Sequence, residues 1–280
     1  MSGTLYLCAT PIGNLEDMTY RAVRILQEAD LIAAEDTRNS IKLLSHFDIH
    51  TPMISYHEHN KWEKGQEIVE KLLGGTNVAL ITDAGMPGIS DPGEVLCRLA
   101  HDASICVTVI PGACAAVSAL AVSGQPTDRF VFEGFLPKSG KERKEKLELL
   151  AAEERTVILY EAPHRIRKTM TELKEYFGEE RELSICRELT KTHEEVRRTT
   201  FGEAASYYEE TEPRGEFVLV IKGRPAGEAA REQQEKWEAL SVEEHVALYT
   251  DRGIDRREAM RLAARDRGVS KRDIYNALIR

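Results

Sequence analysis

The first 110 residues alternate short apolar runs with segments of helical period, and that alternation restricts the chain more than any other feature in it. TLYLCAT, LIAAE, NVALIT and ICVTVI read as buried strands, while YRAVRILQEA, KLLSHF and WEKGQEIVEKLL repeat their apolar residues every three or four positions. Strands separated in this way imply an α/β sheet with helices on its faces. A second series follows: helix ACAAVSALAVSG, strand FVFEGF, the charged helix SGKERKEKLELLAAEE, strand TVILYEA, a helix from about His164 to Phe177, and strands ELSICREL and EFVLVIKG. We therefore expect an α/β protein with two α/β domains, over residues 1–112 and 113–223. A linker over 224–236 should follow, where GRPAGEAAREQQEK loses strand periodicity, and then a C-terminal module over 237–280.

That last module is read from its helix punctuation. Ser241 with Glu244, Asp255 with Glu258, and Ser270 with Asp273 each place a cap residue three positions before an acid, and Gly253 and Gly268 stand where helices end. Three short helices result. Ala264, Gly268 and Ile274 have helix-turn-helix spacing: a small residue at the crossing, a glycine at the turn, an apolar residue packing the last helix back. Residues 251–280 carry nine Lys and Arg against five acids, although the whole chain has a net charge of −9. The acidic total argues against indiscriminate coating of nucleic acid, and the basic tail points to a local nucleic-acid contact or, failing that, to a dimerising or packing cap.

The five cysteines lack C-x-x-C spacing, and three lie in or beside strand-like apolar runs, which fits small buried residues in a reducing compartment, so neither a disulfide framework nor a zinc site is expected. His57 and His59 lack a third ligand of evident spacing and read as polar loop residues. The start of the chain has no basic n-region, and no apolar run reaches the roughly 20 residues that cross a bilayer. A cytoplasmic protein without a membrane partner is expected.

Three loops stand out by composition: ATPIGNLEDMT at 9–19, DAGMPGISDPG at 83–93 and PGACAA at 111–116. Each follows a strand, and ligands of open α/β sheets bind beyond the carboxyl ends of strands. No G-x-x-x-x-G-K-[ST] occurs, and no G-x-G-x-x-G follows a strand, so phosphate cradles of the common kinds are disfavoured. Backbone amides, small side chains and the carboxylates Asp83 and Asp91 suit a neutral to cationic ligand with an adenosine and an amino-acid end.

In order, ATPIGNLEDMTYRAVRILQEADLIAAEDTR, ITDAGMPGISDPG, VIPGACAAVSALAVSG, FEGFLP, LYEAPHR, ICRELTK and GEFVLVIKG resemble the tetrapyrrole methylase superfamily over about residues 4–223. Within it they are similar to the branch that methylates a cytidine 2′-hydroxyl of small-subunit (16S) ribosomal RNA, and the basic tail resembles that branch's helix-turn-helix extension. Corrin-ring members open on a G-x-G-P-G-D-type loop and carry a G-D-P turn. Here TPIGN and GMPG stand in those places, with Gly85 and Pro87 matching and Met86 where the acid would be, which favours the RNA branch over a precorrin or uroporphyrinogen methylase. The resemblance implies S-adenosylmethionine in a cleft between two α/β domains, held by Pro11, Asp83, Pro87, Ile89, Ser90, Cys114, Ala115, Tyr160, Leu189 and Phe217. It also implies a homodimer, and 16S rRNA within the 30S subunit as the partner.

A 2′-hydroxyl is a weak nucleophile and needs a proton acceptor as it attacks. Candidates lie in the segments that the resemblance brings to the cleft: Asp36 and Arg38, then Glu161, His164 and Arg165, then Arg187 and Glu188. Glu161 and His164 are the candidate catalytic residues. Arg38, Arg165 and Arg187, with Arg256, Lys271 and Arg272 of the tail, are candidate RNA contacts. Against these roles, Glu161 could cap the helix that Pro163 begins, His164 could only occupy its first turn, and Asp36 and Arg38 could pair with each other. A non-catalytic RNA-binding module on a methyltransferase fold is the remaining alternative.

Overall fold

The computed structural model describes residues 1–228, 237 and 239–279. Strands β1 (Thr4–Cys8), β2 (Leu31–Ala34), β3 (Met53–Ser55), β4 (Val78–Ile81) and β5 (Cys106–Ile110) form a parallel sheet in the order β3-β2-β4-β1-β5. Helices α1 (Tyr20–Glu28), α2 (Thr37–His46), α3 (Lys61–Leu73) and α4 (Gly93–Asp102) make the crossovers between these strands. Two of these elements were not expected. Strand β3 is a three-residue edge strand too short to show a period, and α4 is hidden directly behind the Gly- and Pro-rich loop.

After α5 (Ala115–Ser123), the chain builds a second sheet from β6 (Phe130–Phe135), β7 (Thr156–Glu161), β8 (Glu182–Arg187), β9 (Glu195–Thr200) and β10 (Phe217–Ile221). Its order is β6-β7-β10-β8-β9. The pair β6/β7 is parallel and the other pairs are antiparallel. Strand β9 was missed because EVRRTT puts charge on an edge, where one face stays wet. The helices of this half are α6 (Gly140–Ala151), α7 (Pro163–Phe177) and α8 (Phe201–Glu210), and α8, also unexpected, starts at a capping box of Thr200 and Glu203.

The period of two explains how the second sheet is buried on both faces. Val157, Leu159, Leu183, Ile185, Leu219 and Ile221 join a core with Met170, Leu173 and Phe201 of α7 and α8. Their neighbours Ile158, Cys186, Val218 and Val220 face the other way and pack on Ala116, Ala119 and Leu120 of α5. Ile12, from the loop after β1, belongs to that second cluster, so apolar packing joins the two sheets where the loops emerge.

Both sheets fall in one compact unit, Met1–Ala151 with Arg155–Lys222. A second unit is drawn from Gly223–Arg280 with Ala152–Glu154. The expected linker at 224–236 lies mostly outside the described residues. In the second unit, α9 (Val242–Thr250), α10 (Arg256–Asp266) and α11 (Lys271–Ala277) enclose Val246, Ala259, Ala263, Ala264 and Ile274. Capping boxes form at Ser241/Glu244 and Ser270/Asp273, and Gly253 and Gly268 take positive φ. The pair Asp255/Glu258 does not close a box: Asp255 accepts the Arg257 amide, while Glu258 turns outward to Arg261 at 2.6 Å. No helix among the described residues is long and apolar enough to cross a membrane.

Candidate functional site

The loops after β1, β4 and β5 converge as their composition suggests. Thr10 and Gly85 exchange two backbone hydrogen bonds, of 2.9 and 3.1 Å, which ties the TPIGN loop to the DAGMPG loop. From behind, the buried Thr10 hydroxyl donates to the Thr82 carbonyl at 3.1 Å. Gly85 has φ +86, and a side-chain carbon there would crowd Ile12 and Ala113, so the close approach needs glycine on both counts. Asp91 closes the far end of the loop, accepting the amides of Gly88 at 2.9 Å and Gly93 at 2.7 Å.

Beside these loops lies a cavity of about 400 Å³. Asp83, Ile89, Ser90, Cys114, Ala115, Tyr160, Leu189 and Phe217 line it, and so does Glu161. Pro11, Pro87 and His164 are not among its lining residues. Both prolines are buried, and His164 is exposed in the first turn of α7. The Tyr160 ring packs edge to face with Phe132 and Phe135, and its hydroxyl accepts the Ala116 amide at 3.1 Å. Burial pushes that phenol up to about 12, so it stays protonated.

Backbone strain gathers at the same place. Among the described residues, five non-glycine residues have positive φ, and three of them, Ser90, Glu188 and Thr190, line the cavity or flank its lining residue Leu189. Glu188 holds its geometry by accepting the Glu216 amide at 3.0 Å and pairing with Lys191 at 2.8 Å. Lys191 also reaches Glu216 at 2.8 Å. Burial disfavours the charges of Glu188 and Lys191, but their contacts outweigh it, holding the carboxyl below and the ammonium above their ordinary ranges.

The candidate polar residues divide by what they already hold. Glu161 is buried, and its carboxylate accepts the Ala162 amide at 2.9 Å and the Thr169 hydroxyl at 2.6 Å while pairing with Arg165 at 3.2 Å. Thr169 in turn accepts from buried Arg143 at 2.9 Å. The Glu161 carboxyl group is thus held within its own corner, and no side-chain bond caps α7 at its N-cap Ala162. Arg165 belongs to the same corner, donating to the Leu136 carbonyl at 2.8 Å and pairing with Glu161. Arg187 pairs with Glu195 at 3.1 Å. Arg38 does pair with Asp36 at 3.0 Å, and the hydrogen bond from Arg38 lowers the Asp36 pKa, yet the arginine side chain remains 88 % exposed. Arg256, Lys271 and Arg272 are exposed at the starts of α10 and α11.

Residues that the sequence reading passed over also line the cavity: Glu35, Lys191 and Glu216. Glu35 follows β2 directly, so its place at a strand's carboxyl end was the available signal. Asp36, one residue on, instead caps α2 and donates its amide to Asp83 at 3.2 Å. His57 and His59 stack edge to face, and no metal-holding cluster of His, Cys, Asp and Glu occurs among the described residues.

Comparison with known proteins adds to this geometry. The model of the family described as Tetrapyrrole (Corrin/Porphyrin) Methylases matches residues 4–205. Ribosomal RNA small subunit methyltransferase I of Halalkalibacterium halodurans is 51 % identical over 98 % of this chain and 94 % of its own length. The protein of the same name from Bacillus subtilis is 46 % identical over 98 % and 94 %. Among solved structures, uroporphyrin-III C-methyltransferase from Thermus thermophilus complexed with S-adenyl homocysteine superposes with a TM-score of 0.55 at 19 % identity, over 79 % of this chain and 97 % of that one. Diphthine synthase does so with 0.61 at 12 %, over 79 % and 90 %; both share the fold. Two parallel lines thus meet, a pair of α/β sheets with their loops on one cavity and near end-to-end likeness in sequence, and the chain belongs to the tetrapyrrole methylase family, among the ribosomal RNA small subunit methyltransferases I.

Proposed function

We propose that this protein is an S-adenosylmethionine-dependent methyltransferase that modifies the 2′-hydroxyl of a cytidine ribose in 16S rRNA. The observation that carries the reading is the cavity at which the loops of the first sheet meet the strand ends of the second, in a chain of this family. Its residues fit the cofactor. About 400 Å³ lies within the roughly 300–1,000 Å³ of small-molecule sites. An apolar wall of Ile12, Tyr160, Leu189 and Phe217 suits an adenine, and carboxylates suit hydroxyl, amino and sulfonium groups. Helix α5 begins at the wall without a side-chain cap from Cys114, so its first-turn dipoles favour a carboxylate.

When bound, the cofactor supplies an electrophilic methyl group on a positive sulfur. The chain's task is to orient the acceptor for in-line attack and to exclude water. Asp83, Ile89, Ser90, Cys114, Ala115, Tyr160, Leu189 and Phe217 would hold the cofactor in a cleft between the two α/β halves, with Pro11 and Pro87 setting the loops behind. Glu161 fixes the β7–α7 corner through Arg165 and Thr169, a positioning role. His164 remains a surface candidate for orienting RNA. Arg38 and the tail residues Arg256, Lys271 and Arg272 supply phosphate contacts from exposed positions. A cytoplasmic homodimer acting on the 30S subunit completes the reading.

The test is transfer of radiolabelled methyl to 30S subunits and to naked 16S rRNA from cells lacking the enzyme, with nuclease mapping of the label. Label on one cytidine ribose is expected. No label on either, with cofactor bound, would move the acceptor to a small tetrapyrrole.

A further inference from the structure

The carboxylates around the cavity are not equivalent. Asp91 accepts two loop amides with both of its oxygens, Glu161 meets an arginine, a hydroxyl and an amide, and Glu216 pairs with Lys191 through one oxygen. Asp83 accepts the Asp36 amide at 3.2 Å and the Asn39 side-chain amide at 3.3 Å, one on each oxygen. Glu35 differs from all of them. Its Oε2 accepts the Thr82 hydroxyl at 2.6 Å, and among the described residues no cation pairs with it and Oε1 has no partner.

A half-buried carboxylate at the wall with no cation on it and one oxygen open offers that oxygen as an acceptor to an incoming hydroxyl. Its rotamer is held through a short chain of contacts: Thr10 donates to the Thr82 carbonyl, and Thr82 donates to Glu35. We propose that Glu35, positioned by Thr82, is the group that takes the proton from the ribose hydroxyl. This inference rests on the methyltransferase reading above. In the step, the ribose oxygen forms its bond to the methyl carbon as the carbon–sulfur bond breaks, with that electron pair passing to sulfur. The hydroxyl proton passes to Glu35 Oε1 and from there to solvent. Thr82 acts through Glu35 and is a positioning residue.

The experiment combines single-turnover methylation of 30S subunits with calorimetric cofactor affinity, for the wild type, Glu35→Gln, Glu35→Ala, Thr82→Val and Thr82→Ser. Glu35→Gln should slow transfer by about 10²- to 10⁴-fold while cofactor affinity stays within about threefold. Formate should restore part of the rate to Glu35→Ala, and Thr82→Ser should recover what Thr82→Val loses; a purely structural role gives neither rescue. Cofactor affinity weakened by about tenfold or more in Glu35→Gln would make Glu35 a cofactor ligand and overturn the proposal. Unimpaired transfer by Glu35→Gln, beside an active wild type, would overturn it as well. A wild type that binds cofactor and labels no RNA would defeat the functional reading itself, and this assignment with it.

Discussion

Asp83 is held in place by the start of α2 and, among the described residues, pairs with no cation, so its carboxyl oxygens remain open to a ligand at the cavity. Asp83→Ala should weaken cofactor binding by about tenfold or more, the loss of one charge-assisted hydrogen bond, as read by calorimetry. Gly215 is constrained differently. Its φ is +84, and a Cβ at this position would fall 2.4 Å from Glu188 Cγ, which leaves no room for a methyl group. Gly215→Ala should cost more than about 1 kcal/mol in denaturant unfolding, and should lower cofactor affinity by displacing Glu188 and, through their pairing, Lys191 at the wall. The clash at Gly215 is not visible in GEFVLVIKG as a string, since it arises from Glu188, 27 positions earlier in the chain. The loop residues were legible because glycine and proline mark strained backbone locally. Glu35, Lys191 and Glu216 were not, because an acid or a lysine beside a strand looks like any solvated charge until the fold brings its partners.

The short helices of the C-terminal unit depend on their ends. Ser270→Ala should destabilise that unit by about 1 kcal/mol, whereas Glu258→Ala should have little effect through capping, because Ser270 closes a box with Asp273 and Glu258 closes none with Asp255. Thermal unfolding of the two variants, followed at Trp237, separates the cases in a Trp62→Phe background. The same probe reads His245, which is fully buried and stacked 4.0 Å from the Trp237 ring. Burial, with Arg267 beside it, lowers the His245 pKa below the ordinary 6.5. Above that value both folded and unfolded chains hold a neutral imidazole, and below it the unfolded chain takes a proton that the folded chain resists. The unit should therefore lose stability as pH falls below about 6.5, and His245→Asn should flatten that acid dependence. At this scale the sequence was most informative where end signals and period coincided, as in α7 and the tail. It failed at α4, although two parallel strands such as β4 and β5 require a crossover and so imply a helix between them. It also failed at β3 and β9, edge strands whose pairing partners lie elsewhere in the chain.

The cavity lies in the first compact unit, while residues 251–280, within the second, carry nine Lys and Arg against five acids in a chain of net charge −9. Removing residues 237–280 should leave cofactor affinity within about threefold while weakening capture of 30S subunits, most clearly as salt is raised. Filter binding across a salt series, with calorimetry on the same protein, checks both halves of that statement. Undiminished RNA capture by the shortened chain would make the tail a packing element. One local feature has a reach of the same order. Because Thr10 and Gly85 share two backbone hydrogen bonds, residues 9–13 and 83–93 behave as one part assembled from two distant stretches of chain. A chimaera that borrows the second stretch from a corrin-type relative while keeping the first would pair mismatched halves. Acceptor preference should therefore be transplantable between relatives only as a matched set, and single-loop grafts should lose activity that the double graft regains.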